Sequence, residues 1–452
     1  MPDARPRIPP LAGVASYREA AQTGLSVDHN VTLLKRYAYI ERRLMEIALA
    51  HLNPVPEWEV KCALSLHCWL DAEHATMFRQ RIGEMREPPL HLDVAPDARL
   101  ASCLDEALNA STTAELLVGV YGVLKPALLA AYRRHLEATN RLMDYPTVRL
   151  LRLLLIDEEE MITWAEAALA ALEAARPGDG RAESWAAHLQ AYLDAAGGVW
   201  GDGAAGAALP PPRSTGAYVP RLYPQRDARF EDRFNFGGDI DAIARDPAHS
   251  PQERTVALMW KRLREMDVPE LMAGFLVRTP DKPWDYYRDM TRQLWDEARH
   301  AMMGEAFFES RGIDWTAFPV PINTAYLNNL FLDALESHAT LYDTEQGLMR
   351  RETGKRAEWE TSRAAGDPYV ITAQDYDWAD EVLHVQFGRR WLVPTLGDRD
   401  RISELVAAAQ QKKERACDDD PRLDPRNQAQ WWPGFYASLR RDEQPEGEAA
   451  SQ

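Results

Sequence analysis

The chain predicts an all-α protein made of two helical bundles in tandem, and three observations lead there. Long Ala-, Leu-, Glu- and Arg-rich stretches are separated by Pro and Gly clusters rather than by alternating β-branched runs. The stretch GGVWGDGAAGAALPPPRSTGAYVP, near 196–220, cannot sustain a helix and divides the helical segments into two sets. The two sets also echo one another in sequence.

In order, the first set of helices is expected at roughly 30–52, 57–86, 111–142, 147–175 and 183–195, and the second at roughly 251–277, 284–310, 323–350, 373–392 and 401–415. This gives a first bundle over 1–195, a Gly/Pro-rich linker over 196–250, a second bundle over 251–415 and a polar tail over 416–452. Within the tail, Trp431, Trp432, Phe435 and Tyr436 are the residues fitted to dock on the body. The echo is clearest where WLDAEHATMF (69–78) is laid on LWDEARHAMMGEAFF (294–308). His74 then meets His300, Asp71 meets Glu297 and Trp58 meets Trp284. On the same logic Glu41 answers Glu265, Glu158 answers Glu381 and Met161 answers His384.

Composition narrows the function. A net charge of -18, with no basic aromatic-laced patch, argues against nucleic acid as a partner. No run of about eighteen apolar residues is apparent and MPDARPRIPPLAG lacks a secretory h-region, so a cytoplasmic protein without a membrane partner is expected. Cys62, Cys68, Cys103 and Cys417 form no CxxC pair and indicate neither a disulfide framework nor a zinc-thiolate site.

The chemistry is carried by two ExxH segments, Glu297-Ala298-Arg299-His300 and Glu381-Val382-Leu383-His384. Each sets a carboxylate and an imidazole on one helix face. A single ExxH is a weak signal because helical histidines are commonly structural; two together on expected helices are stronger. A dinuclear bundle site also needs a carboxylate from each of two further helices. If 251–277 and 284–310 turn near residue 280, Glu297 lies about seventeen residues past the turn at about 1.5 Å each, which selects Glu265 and leaves Glu270 as its substitute. Pro269 frees the carbonyl of Glu265 and predicts a local bend there. Counting a similar distance from 323 selects Glu336, set among apolar residues, while Glu345 and Glu352 read as solvated face positions. Asp296 and Asp380 read either as partners of the histidines' second ring nitrogens or as surface acids. Trp260, Tyr286, Tyr287, Trp295, Tyr326, Phe331, Tyr376 and Phe387 read as a substrate pocket or electron path or, for most of them, as core packing. In the first half Lys125 falls opposite Glu336 and Met161 opposite His384, so that bundle is expected to be metal-free.

The set Glu265, Glu297/His300, Glu336 and Glu381/His384 resembles the ligand pattern of the ferritin-like di-iron carboxylate superfamily. The resemblance covers roughly 251–392, with a degenerate echo over 30–175. It implies two ferritin-like four-helix bundles, the second holding two iron ions (manganese or a mixed pair being the alternatives), with Glu265 and Glu336 as the carboxylates that shift during turnover. It further implies an O2-dependent oxidase or oxygenase acting on a small organic substrate, with a partner reductase able to supply electrons; a monomer or a homodimer is the assembly that fits such an enzyme. Ferritin-type iron oxidation or storage is the alternative and a non-catalytic helical scaffold the third reading.

Overall fold

The computed structural model describes residues 8–86, 88, 91–175, 180–203, 208–237 and 240–442, and among these there are helices and no strands. The chain forms two compact units: one of Met1–His51 and His67–Val219, the other of Leu52–Leu66 and Pro220–Gln452.

The first unit contains α1 (Val27–Leu52), most of α2 (Trp58–Glu84), α3 (Thr113–Ala138) and α4 (Tyr145–Ala175). Ser26 starts α1 by accepting the His29 N–H at 3.2 Å, and Thr112 starts α3 by accepting that of Glu115 at 3.1 Å. Within α3, Val118–Leu124 widens into a π-helical run and the Lys125 N–H donates to the Val120 carbonyl. Pro126 follows directly and has no N–H to give the carbonyl four residues back, a local reason for the change of register. By length and hydropathy α3 would suffice to cross a membrane, which the sequence reading did not anticipate. Within this unit it is a core helix instead, with Lys125 wholly buried among carboxylates at its middle.

The second unit carries α5 (Pro251–Arg264), α6 (Asp267–Leu276), α7 (Trp284–Glu309), α8 (Asn323–Phe331), α9 (Ala334–Leu348), α10 (Lys355–Ala365), α11 (Pro368–Leu396) and α12 (Arg399–Asp419). The bundle around the site is α5/α6, α7, α9 and α11, with α10 packed against both α5 and α11. The predicted bend is present: α5 stops before Glu265, whose carbonyl accepts from Val268 at 2.9 Å instead of from Pro269. Gly304 lets α7 close on α5, since a Cβ there would lie 2.7 Å from the Leu263 nitrogen. Trp58, Trp260, Leu263, Met266, Phe308, Trp315 and Trp432 share one apolar core.

Several boundaries differ from the sequence reading. Residues from Pro220 onward belong to the second unit, where Phe230 and Phe234 are buried, rather than forming a free linker. The described part of the expected polar tail is helical: α12 runs to Asp419, and Trp432–Asp442 forms a helix whose Trp432 enters the core. The rest of the tail lies outside the described residues.

Candidate metal centre

Helices α7 and α11 bring the two ExxH segments face to face. The pairing is crossed: His300 Nε2 lies 3.1 Å from Asp380 Oδ2, and His384 Nε2 lies 3.4 Å from Asp296 Oδ2. Each aspartate therefore serves the histidine of the opposite helix. Arg299 donates to both aspartates at 2.6 Å, and Arg292 Nε lies 2.9 Å from each oxygen of Asp296. Burial would raise the Asp296 carboxyl, but His384 and the two arginines outweigh it and hold it below the usual range. A neutral histidine that donates Nε2–H to a carboxylate has its lone pair on Nδ1, and both Nδ1 atoms are buried without a hydrogen-bond partner.

Carboxylates converge on those nitrogens. Glu297 stands between them, Oε1 at 3.2 Å from His384 Nδ1 and Oε2 at 3.7 Å from His300 Nδ1. Glu381 Oε2 is 3.4 Å from His384 Nδ1, and Glu345 joins from α9, its Oε1 accepting from Gln293 at 3.2 Å. Glu297, Glu345, Glu381 and His384 each place one donor atom within 4.8 Å of the others. Glu265, His300 and Asp377 form a second group of the same kind, with His300 Nδ1 at 3.6 Å from Glu265 Oε2 and 3.4 Å from Asp377 Oδ1.

These residues fit metal ions. Six buried atoms, namely Glu265 Oε2, His300 Nδ1, Asp377 Oδ2, Glu345 Oε2, Glu381 Oε2 and His384 Nδ1, have no hydrogen-bond partner. Buried unpaired polar atoms are expensive, and a cation bound by these donors would satisfy them together. The titration behaviour agrees. Burial, reinforced by the charges of Glu381 and Glu297, drives the Glu345 carboxyl well above its usual range. Burial also opposes ionisation of Glu381, yet Lys355, Glu345 and His384 hold it well below. Burial opposes the charge on His300, but Asp377, Asp380 and Glu297 pull it up to about 10. Protons and side-chain cations thus balance charge that a divalent ion would otherwise balance. Imidazole with carboxylate suits iron or manganese.

Of the residues selected from sequence, Glu297, Glu381 and His384 lie in the first group and Glu265 and His300 in the second. Glu336 lies in neither, which corrects the sequence reading. The expected single helix over 323–350 breaks at Leu332–Asp333, and Asp333 and Glu336 form a reciprocal capping box at 2.8 and 3.0 Å. The Glu336 carboxylate caps α9 and accepts from Lys412 at 2.5 Å. The carboxylate facing the centre is Glu345, which the sequence reading had placed on a solvated face. Glu270 is also elsewhere, paired with Lys61 at 2.7 Å and with Arg226.

Asp377, Lys355 and Arg262 were not singled out from sequence. Asp377 had a readable signal, four residues before Glu381 and so on the same face. The two cations had none: both are wholly buried, Arg262 pairing with Asp377 and Glu265, and Lys355 with Asp377 and Glu381.

The first unit holds a related cluster of Glu41, Asp71, His74 and Glu158. His74 Nε2 contacts Asp157 at 3.1 Å, and the Lys125 ammonium lies 2.8 Å from Asp71 and 2.9 Å from Glu158. Tyr132 donates to Glu41 at 2.6 Å. Unlike the second unit, this cluster has a lysine on the helix that there supplies Glu345.

Comparison with family models, with curated proteins and with solved structures finds no match to the chain. The all-helical fold with separate buried Glu/Asp/His clusters matches the ferritin-like di-iron carboxylate signature, consistent with tandem ferritin-like bundles. That combination supports a metal-dependent enzyme.

Proposed function

We propose that the second unit is a non-haem iron oxidase or oxygenase that uses O2 to oxidise a small organic substrate. One observation carries the reading: the orphaned donor atoms of two ExxH helices converge in a buried site, with the second ring nitrogens already engaged by Asp296 and Asp380. Glu297, with one oxygen toward each histidine, would hold metal together with Glu265, Glu345, Glu381, His300 and His384, and the superfamily resemblance supplies the expectation of iron. Bound there, redox-active metal supplies the electrons that O2 chemistry requires.

The protein's own contribution is preorganisation. Arg299 fixes both aspartates, the aspartates fix the rings, and the burial of Glu297, His300, Glu345, Asp377, Glu381 and His384 excludes bulk water. Glu265 sits at the break between α5 and α6, so of the carboxylates it has the least rigid backbone support. A cleft of about 650 Å³ lined by Thr255, Phe307, Arg311 and Phe435 includes no metal ligand and is not assigned to the substrate. Electrons would come from a partner reductase.

The test is O2 uptake by protein reconstituted anaerobically with Fe(II), screened against small organic substrates. Substrate-triggered uptake that is lost in Glu297→Ala is expected. Uptake unchanged by that substitution refutes the assignment.

A further inference from the structure

Lys355 is the feature of the centre that the reading above does not use. It is the first residue of α10, delivered by a tight turn at Gly354, where an added Cβ would lie 2.0 Å from the Leu348 carbonyl oxygen and 2.6 Å from that of Arg350. No other residue fits that turn as it stands. The ammonium is wholly buried, 2.7 Å from Asp377 Oδ1, 2.8 Å from Glu381 Oε1 and 3.6 Å from Glu265 Oε1. Arg262 pairs with Glu265 and Asp377 as well.

The two ligand groups are therefore unequal. Both carboxylates of the Glu265–His300–Asp377 group already face fixed cations. In the other group Glu297 and Glu345 face none, and Glu381 spends only Oε1 on Lys355, leaving Oε2 unpartnered beside His384 Nδ1. Moreover, the Glu381 oxygen directed away from His384 is the one Lys355 holds.

We propose that Lys355 makes the two groups load unequally: Glu297, Glu345, Glu381 and His384 bind one divalent cation tightly, while Glu265, His300 and Asp377 accept a second only in competition with the Lys355 ammonium. This rests on the reading that the second unit is a metal centre. A divalent ion brought within a few ångströms of a fixed ammonium and guanidinium loses affinity by on the order of a hundredfold or more. Lys125 in the first unit shows a similar device, contacting both Asp71 and Glu158.

The experiment titrates the full chain, stripped of metal by chelator, with Mn(II) under argon, reading free Mn(II) by electron paramagnetic resonance and bound metal by elemental analysis. Wild type is expected to take up one equivalent tightly and a second at least about a hundredfold more weakly. Lys355→Met is expected to tighten the second equivalent at least about tenfold, the Arg262 guanidinium still opposing it, and to show a spin-coupled pair at saturation. His384→Gln removes the tight equivalent and His300→Gln leaves it, so the proposal stands on these even if Lys355→Met does not fold. Two equally tight equivalents in wild type, a folded Lys355→Met that stays at one, or loss of the tight ion in His300→Gln but not His384→Gln overturns it. No Mn(II) or Fe(II) bound by wild type overturns the metal-centre reading as well, which distinguishes the two failures.

Discussion

Replacing Lys125 by methionine isolates what a buried ammonium does in the first unit. The side chain is wholly buried, and its Nζ lies 2.8 Å from Asp71 and 2.9 and 3.2 Å from the two oxygens of Glu158. Methionine keeps the length and removes the charge, leaving Glu41, Asp71 and Glu158 with His74 alone. Breaking one side of a buried ion pair costs about 3–5 kcal/mol, because the partners stay buried without compensation. Burial already pushes the Asp71 carboxyl up to about 8 despite Lys125, so it can take a proton rather than stay charged, and the cost falls toward the lower figure. At about 2–4 °C per kcal/mol for a unit of this size, the first unit's melting transition should drop by roughly 6–12 °C. The vacated cluster offers four donor atoms within 4.8 Å, so Mn(II) at about a hundred times its Kd should restore about 2.7 kcal/mol. Differential scanning calorimetry with Mn(II) or with chelator measures both effects. A Lys125→Met transition within 2 °C of wild type under chelator, by the same size scaling, would show that the ammonium offsets nothing and would refute the reasoning.

Other substitutions test other links. Asp296→Asn should weaken the tight ion about 10–100-fold while leaving the far-ultraviolet spectrum unchanged, because the aspartate fixes the His384 ring rather than binding metal; isothermal titration measures it. Glu336→Ala should cost about 1 kcal/mol through the α9 cap and leave metal stoichiometry intact, whereas Glu345→Gln should remove the tight equivalent. His338 is stacked on Phe275 at 5.2 Å, and burial with the nearby Lys282 holds it down at about 3. Because its folded value lies below the unfolded one near 6.5, its stabilising contribution is complete above about 6.5 and is lost as pH falls toward 3, about 2 kcal/mol by pH 5. His338→Phe should flatten that part of the second unit's acid denaturation curve.

The long helices and their order were legible because their signals are local, Ser26, Thr112 and Ser250 being capping residues in plain view and Pro269 marking the break at Glu265, whereas the short helices Ala98–Ala107 and Lys355–Ala365 were not expected. The ligands on α7 and α11 were legible for the same reason, since i,i+3 spacing survives whatever the helices pack against. Glu336 was misplaced because a residue count assumed an unbroken helix from 323. The pattern Asp333-Ala334-Leu335-Glu336 is itself a capping-box signal, and reading it would have restarted the count and moved the inward carboxylate down α9. Lys355 and Arg262 lay beyond sequence reasoning in a stricter sense. Both sit among other charged residues, which ordinarily means a solvated face, and only packing of α10 against α5 and α11 buries them.

The two units differ in the sign of one inward residue. Lys125 lies about three turns into α3, and Glu345 about three turns into α9. Each is wholly or nearly buried and faces the carboxylates of its own unit. Around Lys125 the acids have their cation built in, and an incoming metal would meet a fixed positive charge. Around Glu345 the inward residue is an acid that no lysine or arginine among the described residues faces, Lys355 holding only Glu381 Oε1, so its charge must be met by a proton or a metal. Exchanging that sign is therefore the most direct way to move metal affinity between the units. Lys125→Glu should give the first unit an ion that calorimetry and elemental analysis both detect, and Glu345→Lys should abolish the tight ion of the second. If the two exchanges leave metal content unchanged, the charge of the third bundle helix does not decide where metal binds, and the ligand geometry around His74 and His384 must.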